Sequence, residues 1–453
     1  MNLLTDRALA ARYDVPAPRY TSYPTVPYWD SAPTVAQWLT HLRRALAAPD
    51  ASPGLYLHIP FCRSLCTYCG CNTRITRTHS LVAPYLHSLL RELDLYLEAL
   101  GRPQLSLGEL YLGGGTPTFL DPAELQALLS GLFGRVRLTA GADAALEADP
   151  RVTTAEQLAI LAQYGFRRLS LGIEDFDPRV QHIVNREQSE QQVRAVCDAA
   201  RLHGFDSVHF DLIYGLPLQN RASVQLTMDA ISRLRPDRVA WYGYAHVPWI
   251  KPGQRRFTES DLPEADERQA LSELGRERLR AAGYREIGMD LFALESERLW
   301  RAQRAGQLQR QFMGYSAAPA RPLIGLGVSA LGDAGDAFAQ NDKDLQRYQD
   351  SIAGGRLPLQ RGHLLDAEDQ VLRRHILRLA TQFTTDWERA SEWTTHLQQV
   401  PERLASAQAD GLVELTSHGC RVTERGRPYL RAICLAFDAR LLRRRSEPGF
   451  RTA

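Results

Sequence analysis

The chain has 453 residues, 44% hydrophobic and 23% charged, with a formal net charge of +2. This composition fits a globular protein with one large domain and one or two smaller ones, and it excludes a disordered chain or a disulfide-stapled miniprotein. So small a charge sets up no global field toward nucleic acid or a lipid surface, and no apolar run approaches the length of a membrane span.

Residues 1–50 read as an N-terminal arm and helix. The opening MNLLTDRALAARYD has charges inside its only apolar stretch and no cleavage-site pattern, so it does not read as a signal peptide. The prolines and aromatics of Ala17-Pro-Arg-Tyr-Thr-Ser-Tyr-Pro-Thr25 predict an extended packing arm, and Trp38 to Ala47 has a helical pattern.

Across residues 51–265, strand and helix patterns alternate. The strands are expected at Leu55–Phe61, Glu109–Leu112, Ala144–Ala148, Arg168–Ile173, Ser207–Tyr214 and Val239–Tyr244. Helical stretches lie between them at Tyr85–Ala99, Pro122–Phe133, Thr154–Tyr164, Ser189–His203 and Val224–Arg235. Such alternation makes a parallel sheet with helices outside it. Six units are too few for a closed eight-unit barrel, so the expected fold class is α/β, an incomplete, open (β/α)6 barrel.

Residues 266–360 read as a barrel extension and substrate-side segment, with a helix at Asp266–Ala282. The glycine-rich run from Arg321 to Gly335 is either a tight turn or a place where backbone approaches a ligand. Residues 361–453 read as a mostly helical, winged-helix-like domain. Its helices are expected at Asp366–Gln382, His396–Gln408 and from about Glu424 to Leu442, with two short strands before the last. The basic Arg440–Arg445 tail reads as a solvated end.

Four of the seven cysteines fall within ten residues, directly after the first barrel strand. An odd, clustered set is not a disulfide framework, and it fits a reducing cytoplasm. Cys62, Cys66 and Cys69 are spaced C-x3-C-x2-C. Three soft thiolates on one loop suit an iron–sulfur cluster, and three ligands leave one iron of a four-iron cluster open. Structural zinc would take four ligands, typically as two separated pairs, and no second CxxC or HxxxH follows. A redox disulfide has no use for a third and fourth cysteine.

The remaining polar and glycine residues gather after the strands, where barrels of this kind build their active sites. They are Gly113-Gly-Gly-Thr-Pro-Thr118, Glu147, Glu174 with Asp175, Asp211 and Tyr244-Ala-His246. Glu147, Glu174 and Asp211 suit hydroxyls or an ammonium group, and Arg186 suits a carboxylate. Each taken alone is more often a surface ion pair. His58 and His246 are acid–base candidates or hydrogen-bonded core histidines. Cys197, Cys420 and Cys434 read as buried apolar residues.

The three-cysteine motif followed by Gly113-Gly-Gly-Thr-Pro-Thr resembles the radical S-adenosylmethionine (SAM) superfamily. Within it, the chain resembles the oxygen-independent coproporphyrinogen III oxidases almost end to end. The resemblance covers Pro18-Arg-Tyr-Thr-Ser-Tyr-Pro-Thr25, Tyr-Leu-His-Ile-Pro-Phe from Tyr56, Cys69-Gly-Cys71, Val184-Asn-Arg-Glu-Gln188, Asp211–Pro217, Tyr244-Ala-His246 and Gly327-Val-Ser-Ala330.

It implies that Cys62, Cys66 and Cys69 ligate a [4Fe–4S] cluster and that one SAM binds the open iron. Gly114, Gly115, Thr116, Glu147, Glu174, Arg186, Asp211, Ala245, Leu331 and Tyr56 match SAM-contact positions, and Tyr68 lies near the place of a second SAM. Cys71 is then no ligand but the candidate catalytic thiol. The implied activity is radical oxidative decarboxylation of two propionates of coproporphyrinogen III to vinyl groups, giving protoporphyrinogen IX in anaerobic haem biosynthesis. The implied partners are the tetrapyrrole substrate, a reductant such as flavodoxin or ferredoxin, and an external electron acceptor. They imply a monomeric, cytoplasmic enzyme with no nucleic-acid or membrane partner.

Competing readings are a paralogue acting on another tetrapyrrole, a radical methylase, a haem-binding chaperone and a DNA-binding winged helix. The chain departs from the family pattern at Glu174 (usually glutamine), Leu291 (usually histidine), Met313 (usually glutamine) and Ala317 (usually threonine).

Overall fold

The computed structural model describes residues 8–9, 11–13, 15, 17–317, 321–387 and 394–445. Contacts divide the chain into two units. One comprises Asp30–Leu262 and Ala318–Leu364; the other comprises Met1–Trp29, Pro263–Ala317 and Leu365–Ala453. The sequence segments 1–50 and 266–360 are therefore each shared between both units.

In the first unit six parallel strands run in chain order: β1 (Gly54–Ile59), β2 (Leu105–Gly114), β3 (Val136–Ala148), β4 (Arg168–Glu174), β5 (Ser207–Tyr214) and β6 (Arg238–Gly243). Helices α1 (Val35–Leu46), α2 (Val82–Leu100), α3 (Pro122–Phe133), α4 (Ala155–Gln163), α5 (Pro178–Ile183), α6 (Glu190–Leu202) and α7 (Arg221–Leu234) accompany them. The expected open (β/α)6 barrel is the observed fold.

Local chemistry explains the punctuation. Asp121, Thr154, Ser189 and Asn220 each close a capping box at the start of α3, α4, α6 and α7, satisfying amide groups that the first turn leaves unpaired. Leu55, Leu57 and Ile59 are fully buried on one face of β1, while Tyr56 and His58 alternate onto the other.

Three features exceed the sequence expectation. Helix α5 is too short for a readable period and starts from the Asp177 cap and Pro178. Strand β3 begins eight residues earlier than expected. The glycine-rich run is a strand, a turn and a strand: β7 (Leu323–Leu326) lies parallel to β1 on the side away from β2, and β8 (Leu331–Asp333), β9 (Ala337–Asn341) and β10 (Leu359–Leu364) follow antiparallel. Helix α8 (Leu345–Ala353) joins the last two.

The second unit holds a helix at Ala265–Ala281, two short hairpins, and a helix at Ala367–Gln382. A three-stranded antiparallel sheet follows, with Gly419–Val422 between Thr384–Asp386 and Val413–Thr416, and helices at Val400–Ala409 and Leu430–Leu435. This is the winged-helix-like arrangement. Tyr20 and Tyr23 of the arm are fully buried in this unit's core, where the Tyr20 hydroxyl donates to Asp438 at 3.0 Å and Arg310 donates to Tyr20 O at 3.1 Å. Cys420 and Cys434 are buried there too, as expected. Leu291 is buried at a strand start and Met313 occupies a hairpin turn. The first seven residues of the expected N-terminal helix lie outside the described residues. Among the described residues, no helix is long and apolar enough to cross a membrane.

Candidate active site

The barrel face turned away from the helices is polar. Strand register places Tyr56 beside Tyr111, His58 beside Gly113, Glu147 beside Ser170, Ser170 beside His209, and Gly172 beside Asp211. Tyr111 donates to Glu147 at 3.2 Å, and Ser170 donates to Asp211 at 2.9 Å. One layer nearer the strand starts, buried Arg168 pairs with Asp143 at 3.1 Å and Glu109 at 3.8 Å. An interior built from such groups is a ligand cavity rather than an apolar core.

The cysteine loop lies across the carboxyl ends of β1 and β2. Cys62 sits on a two-residue strand paired with Arg74–Ile75, and its sulfur lies 3.3 Å from the Thr116 hydroxyl. Two guanidinium groups face the buried Cys66 sulfur, Arg186 at 3.5 Å and Arg151 at 3.6 Å. Asp149 pairs with both, at 3.4 and 2.6 Å. Burial raises the Asp149 carboxyl, but Arg186 and Arg151 outweigh it and hold the group below its ordinary range. The Cys71 amide donates to the Cys69 sulfur at 3.4 Å. The Cys71 thiol also donates to Cys69, which lowers Cys69 to about 6 and raises Cys71 well above its usual value. Burial pushes Cys62 up to about 11.

His58 is a structural residue. Its Nε2 must donate to Asn72 O at 2.9 Å, which leaves Nδ1 to accept from the Tyr56 hydroxyl at 3.0 Å. Burial lowers it to about 4, so it stays neutral while tying β1 to the far end of the cysteine loop. His246 is half-buried, with Nδ1 3.1 Å from the Tyr244 hydroxyl, and burial lowers it as well.

The glycine run is bare for the protein's own packing. A side chain at Gly113 would meet Glu147 at 2.9 Å, one at Gly114 (φ +116°) would meet the His58 ring at 2.8 Å, and one at Gly115 would meet Pro60 O at 2.5 Å. The Gly114 amide donates to Glu147 at 3.0 Å. Burial raises Glu147 to about 7 and Glu174 to about 8. Glu174 adopts φ +65° at a register shift in β4 and lies 4.0 Å from Arg186. The Arg186 fork also holds Gly172 O.

The other expected site residues fall in the same unit. Gln254, buried, donates to both Tyr68 O and Ala245 O at 3.3 and 3.2 Å, stitching the segment after β6 to the cysteine loop. Leu331 opens β8, whose partner β7 borders β1. Sequence reasoning missed Arg151, Gln254, Tyr111, Ser170 and His209. The last three share the strand phase of Gly113, Glu147 and Asp211, so the period-two rule could have found them.

The donor set fits a cluster better than a single ion. Zinc bound at about 2.3 Å would draw tetrahedral sulfurs to within about 3.8 Å of one another. Among the described residues, the one trio of metal-capable atoms all within 4.8 Å of one another is His79, Asp121 and Glu124, so the three thiols do not all lie that close together. Three thiols so spaced, with two guanidinium groups on the Cys66 sulfur, suit a larger multi-iron group.

Comparison with known proteins agrees. The Radical SAM superfamily profile matches residues 56–231. An oxygen-independent coproporphyrinogen III oxidase from Pseudomonas aeruginosa is 39% identical over 96% of this chain and 95% of its own, and the one from Escherichia coli is 37% identical over the same shares. A solved structure of the Escherichia coli coproporphyrinogen III oxidase, described as a radical SAM enzyme, superposes with a TM-score of 0.86, at 37% identity over 93% of this chain and 97% of that one. Fold and thiol loop thus define a radical SAM enzyme, whose cofactors are a [4Fe–4S] cluster and SAM. Within that class the chain belongs to the oxygen-independent coproporphyrinogen III oxidase family.

Proposed function

We propose that this chain oxidatively decarboxylates two propionate side chains of coproporphyrinogen III to vinyl groups, yielding protoporphyrinogen IX in porphyrin biosynthesis. The observation that carries the reading is the loop of three thiols at the mouth of a polar barrel, with Cys66 facing two guanidinium groups. Cys62, Cys66 and Cys69 hold the [4Fe–4S] cluster. Tyr56, Gly114, Gly115, Thr116, Glu147, Glu174, Arg186, Asp211, Ala245 and Leu331 hold SAM, and Tyr68 borders a second SAM. A reduced cluster with SAM bound there would supply hydrogen-atom abstraction at the propionate β-carbon, with carbon dioxide as the leaving group and an external acceptor for the remaining electron.

The chain's own residues prepare that step. Arg151 and Arg186 place hydrogen-bond donors on the buried Cys66 sulfur. Glu147 fixes the β2 end through the Gly114 amide. With its carboxyl near 8, Glu174 is protonated at neutral pH and offers the same donor and acceptor pair as the glutamine usual in the family. Cys71, protonated and exposed, is free of the metal for a later proton or hydrogen transfer. The reading carries with it a reductant such as flavodoxin or ferredoxin, and a monomeric, cytoplasmic protein with no nucleic-acid or membrane partner.

Cysteine variants test the assignment. After anaerobic reconstitution, Cys62→Ala, Cys66→Ala and Cys69→Ala should lack the brown cluster absorbance, and Cys71→Ala should keep it while losing turnover. A colourless Cys71→Ala protein contradicts the division.

A further inference from the structure

Large apolar side chains rarely stand exposed together without a partner. Beside the cysteine loop three of them do: Trp249 is 58% exposed, Ile250 52% and Leu65 41%. The turn that carries Trp249 and Ile250 lies against the loop that carries Leu65. A side chain built at Gly253 would come within 3.2 Å of Leu65 Cδ2, and Lys251 Nζ donates to Cys71 O at 3.3 Å. The turn that presents Trp249 and Ile250 is fixed rather than loose, because the Ile250 and Lys251 amides both donate to Val247 O, and Gln254 anchors its base to Tyr68 and Ala245.

The two stretches that build the patch are basic, with the acids Glu187, Glu259 and Asp261 at its margin. No Asp or Glu occurs between residues 51 and 91 or between 238 and 258, while these stretches carry Arg63, Arg74, Arg77, Lys251, Arg255 and Arg256. In a chain of net charge +2 this is a local bias, with exposed Arg255 and Arg256 following the apolar turn directly. An apolar centre with a basic rim matches a small acidic protein: the rim steers the encounter and the centre excludes water. Leu65 immediately precedes Cys66, so an occupant seated there lies one residue from a cluster ligand.

We infer that Leu65, Trp249 and Ile250, rimmed by Arg255 and Arg256, form the docking surface for an acidic one-electron carrier protein of the iron–sulfur or flavin class. This rests on the cluster assignment above. The carrier is oxidised by one electron and the cluster reduced by one; no bond or proton moves. Contacts of this kind are small and short-lived, so the rate rather than tight binding reports them.

The test uses the full reconstituted chain and its Trp249→Ser and Arg255→Glu/Arg256→Glu variants, with bleaching of the cluster absorbance followed anaerobically by stopped flow. Two reductants are compared, a reduced acidic ferredoxin and dithionite. The charge reversal should slow reduction by ferredoxin about tenfold at low salt, with the gap closing as salt screens it. Trp249→Ser should slow it at every salt concentration, and dithionite rates should match wild type throughout. Ferredoxin rates equal to wild type in both variants overturn the surface while leaving the cluster assignment intact. Equal slowing with dithionite shows damage to the cluster and overturns it too. A wild-type chain that forms no cluster sinks the assignment beneath it. If Trp249→Ser instead converts a dimer into a monomer on sedimentation, the occupant is a second copy of the chain and the carrier is ruled out.

Discussion

Gly115→Ala probes the join between barrel and cysteine loop at a single atom. A methyl group there would lie 2.5 Å from Pro60 O and 3.0 Å from Cys62 Sγ. Neither neighbour yields easily. Pro60 O already accepts from the Arg74 amide at 2.7 Å, and Gly115 N donates to Ile59 O at 2.7 Å, so carbonyl and glycine are both pinned. Bringing the sulfur to an ordinary contact of 3.4 Å means moving it about 0.4 Å, twice the tolerance of roughly 0.2 Å for a metal–ligand distance. Overpacking of this kind costs about 1–3 kcal/mol, or about five- to hundredfold in cluster retention if the loop bears the strain. The assay is iron content and absorbance near the cluster band after anaerobic reconstitution, with circular dichroism to confirm the fold. Gly70→Ala is the control, since a methyl there meets nothing within 4 Å. Wild-type iron content in Gly115→Ala, or equal loss in Gly70→Ala, would refute the account of how the loop is held.

Glu174→Gln should retain activity within about threefold at neutral pH, because the buried acid is already protonated there, and it should flatten the decline in kcat/KM that wild type shows as pH rises past about 8. Loss of activity at neutral pH would show that an ionised carboxylate is required. Glu92 gives a stability test away from the thiols. Burial raises it from 4.5 to about 7, although Gly327 N, Asn341 and Tyr348 all donate to it. The native state therefore holds the proton that the unfolded chain releases, and stability falls by about 3 kcal/mol as pH rises from 4.5 to 7, then levels. Denaturant unfolding of wild type and Glu92→Gln across that range should show the pH dependence shrinking in the variant; an unchanged slope contradicts it.

Much of the barrel was legible because strand and helix patterns alternate cleanly and the functional residues collect at strand ends. Strand β5 is the clearest case: Ser207–Tyr214 was expected and observed. The early half of β3 was not, since four of the five residues from Arg137 to Gly141 are exposed and show no apolar alternation, and pairing with β2 makes this stretch strand. Strands β7 to β10 escaped for a related reason: their glycines and polar residues carry no period, and β7 pairs with a strand more than 250 residues away. The burial of Tyr20 beside Asp438 was equally out of reach, being a long-range packing event. At the site, cysteine spacing pointed to the proposed ligands directly. Arg151 did not stand out, because its importance lies in where the chain folds after Asp149, not in any spacing.

The most direct measurement is anaerobic turnover of the reconstituted chain with coproporphyrinogen III, SAM and a reduced carrier. The account predicts loss of two carboxyl groups as carbon dioxide, a divinyl porphyrinogen and release of methionine. Cleavage of SAM with no vinyl product, or stoichiometric retention of haem in place of turnover, would contradict it.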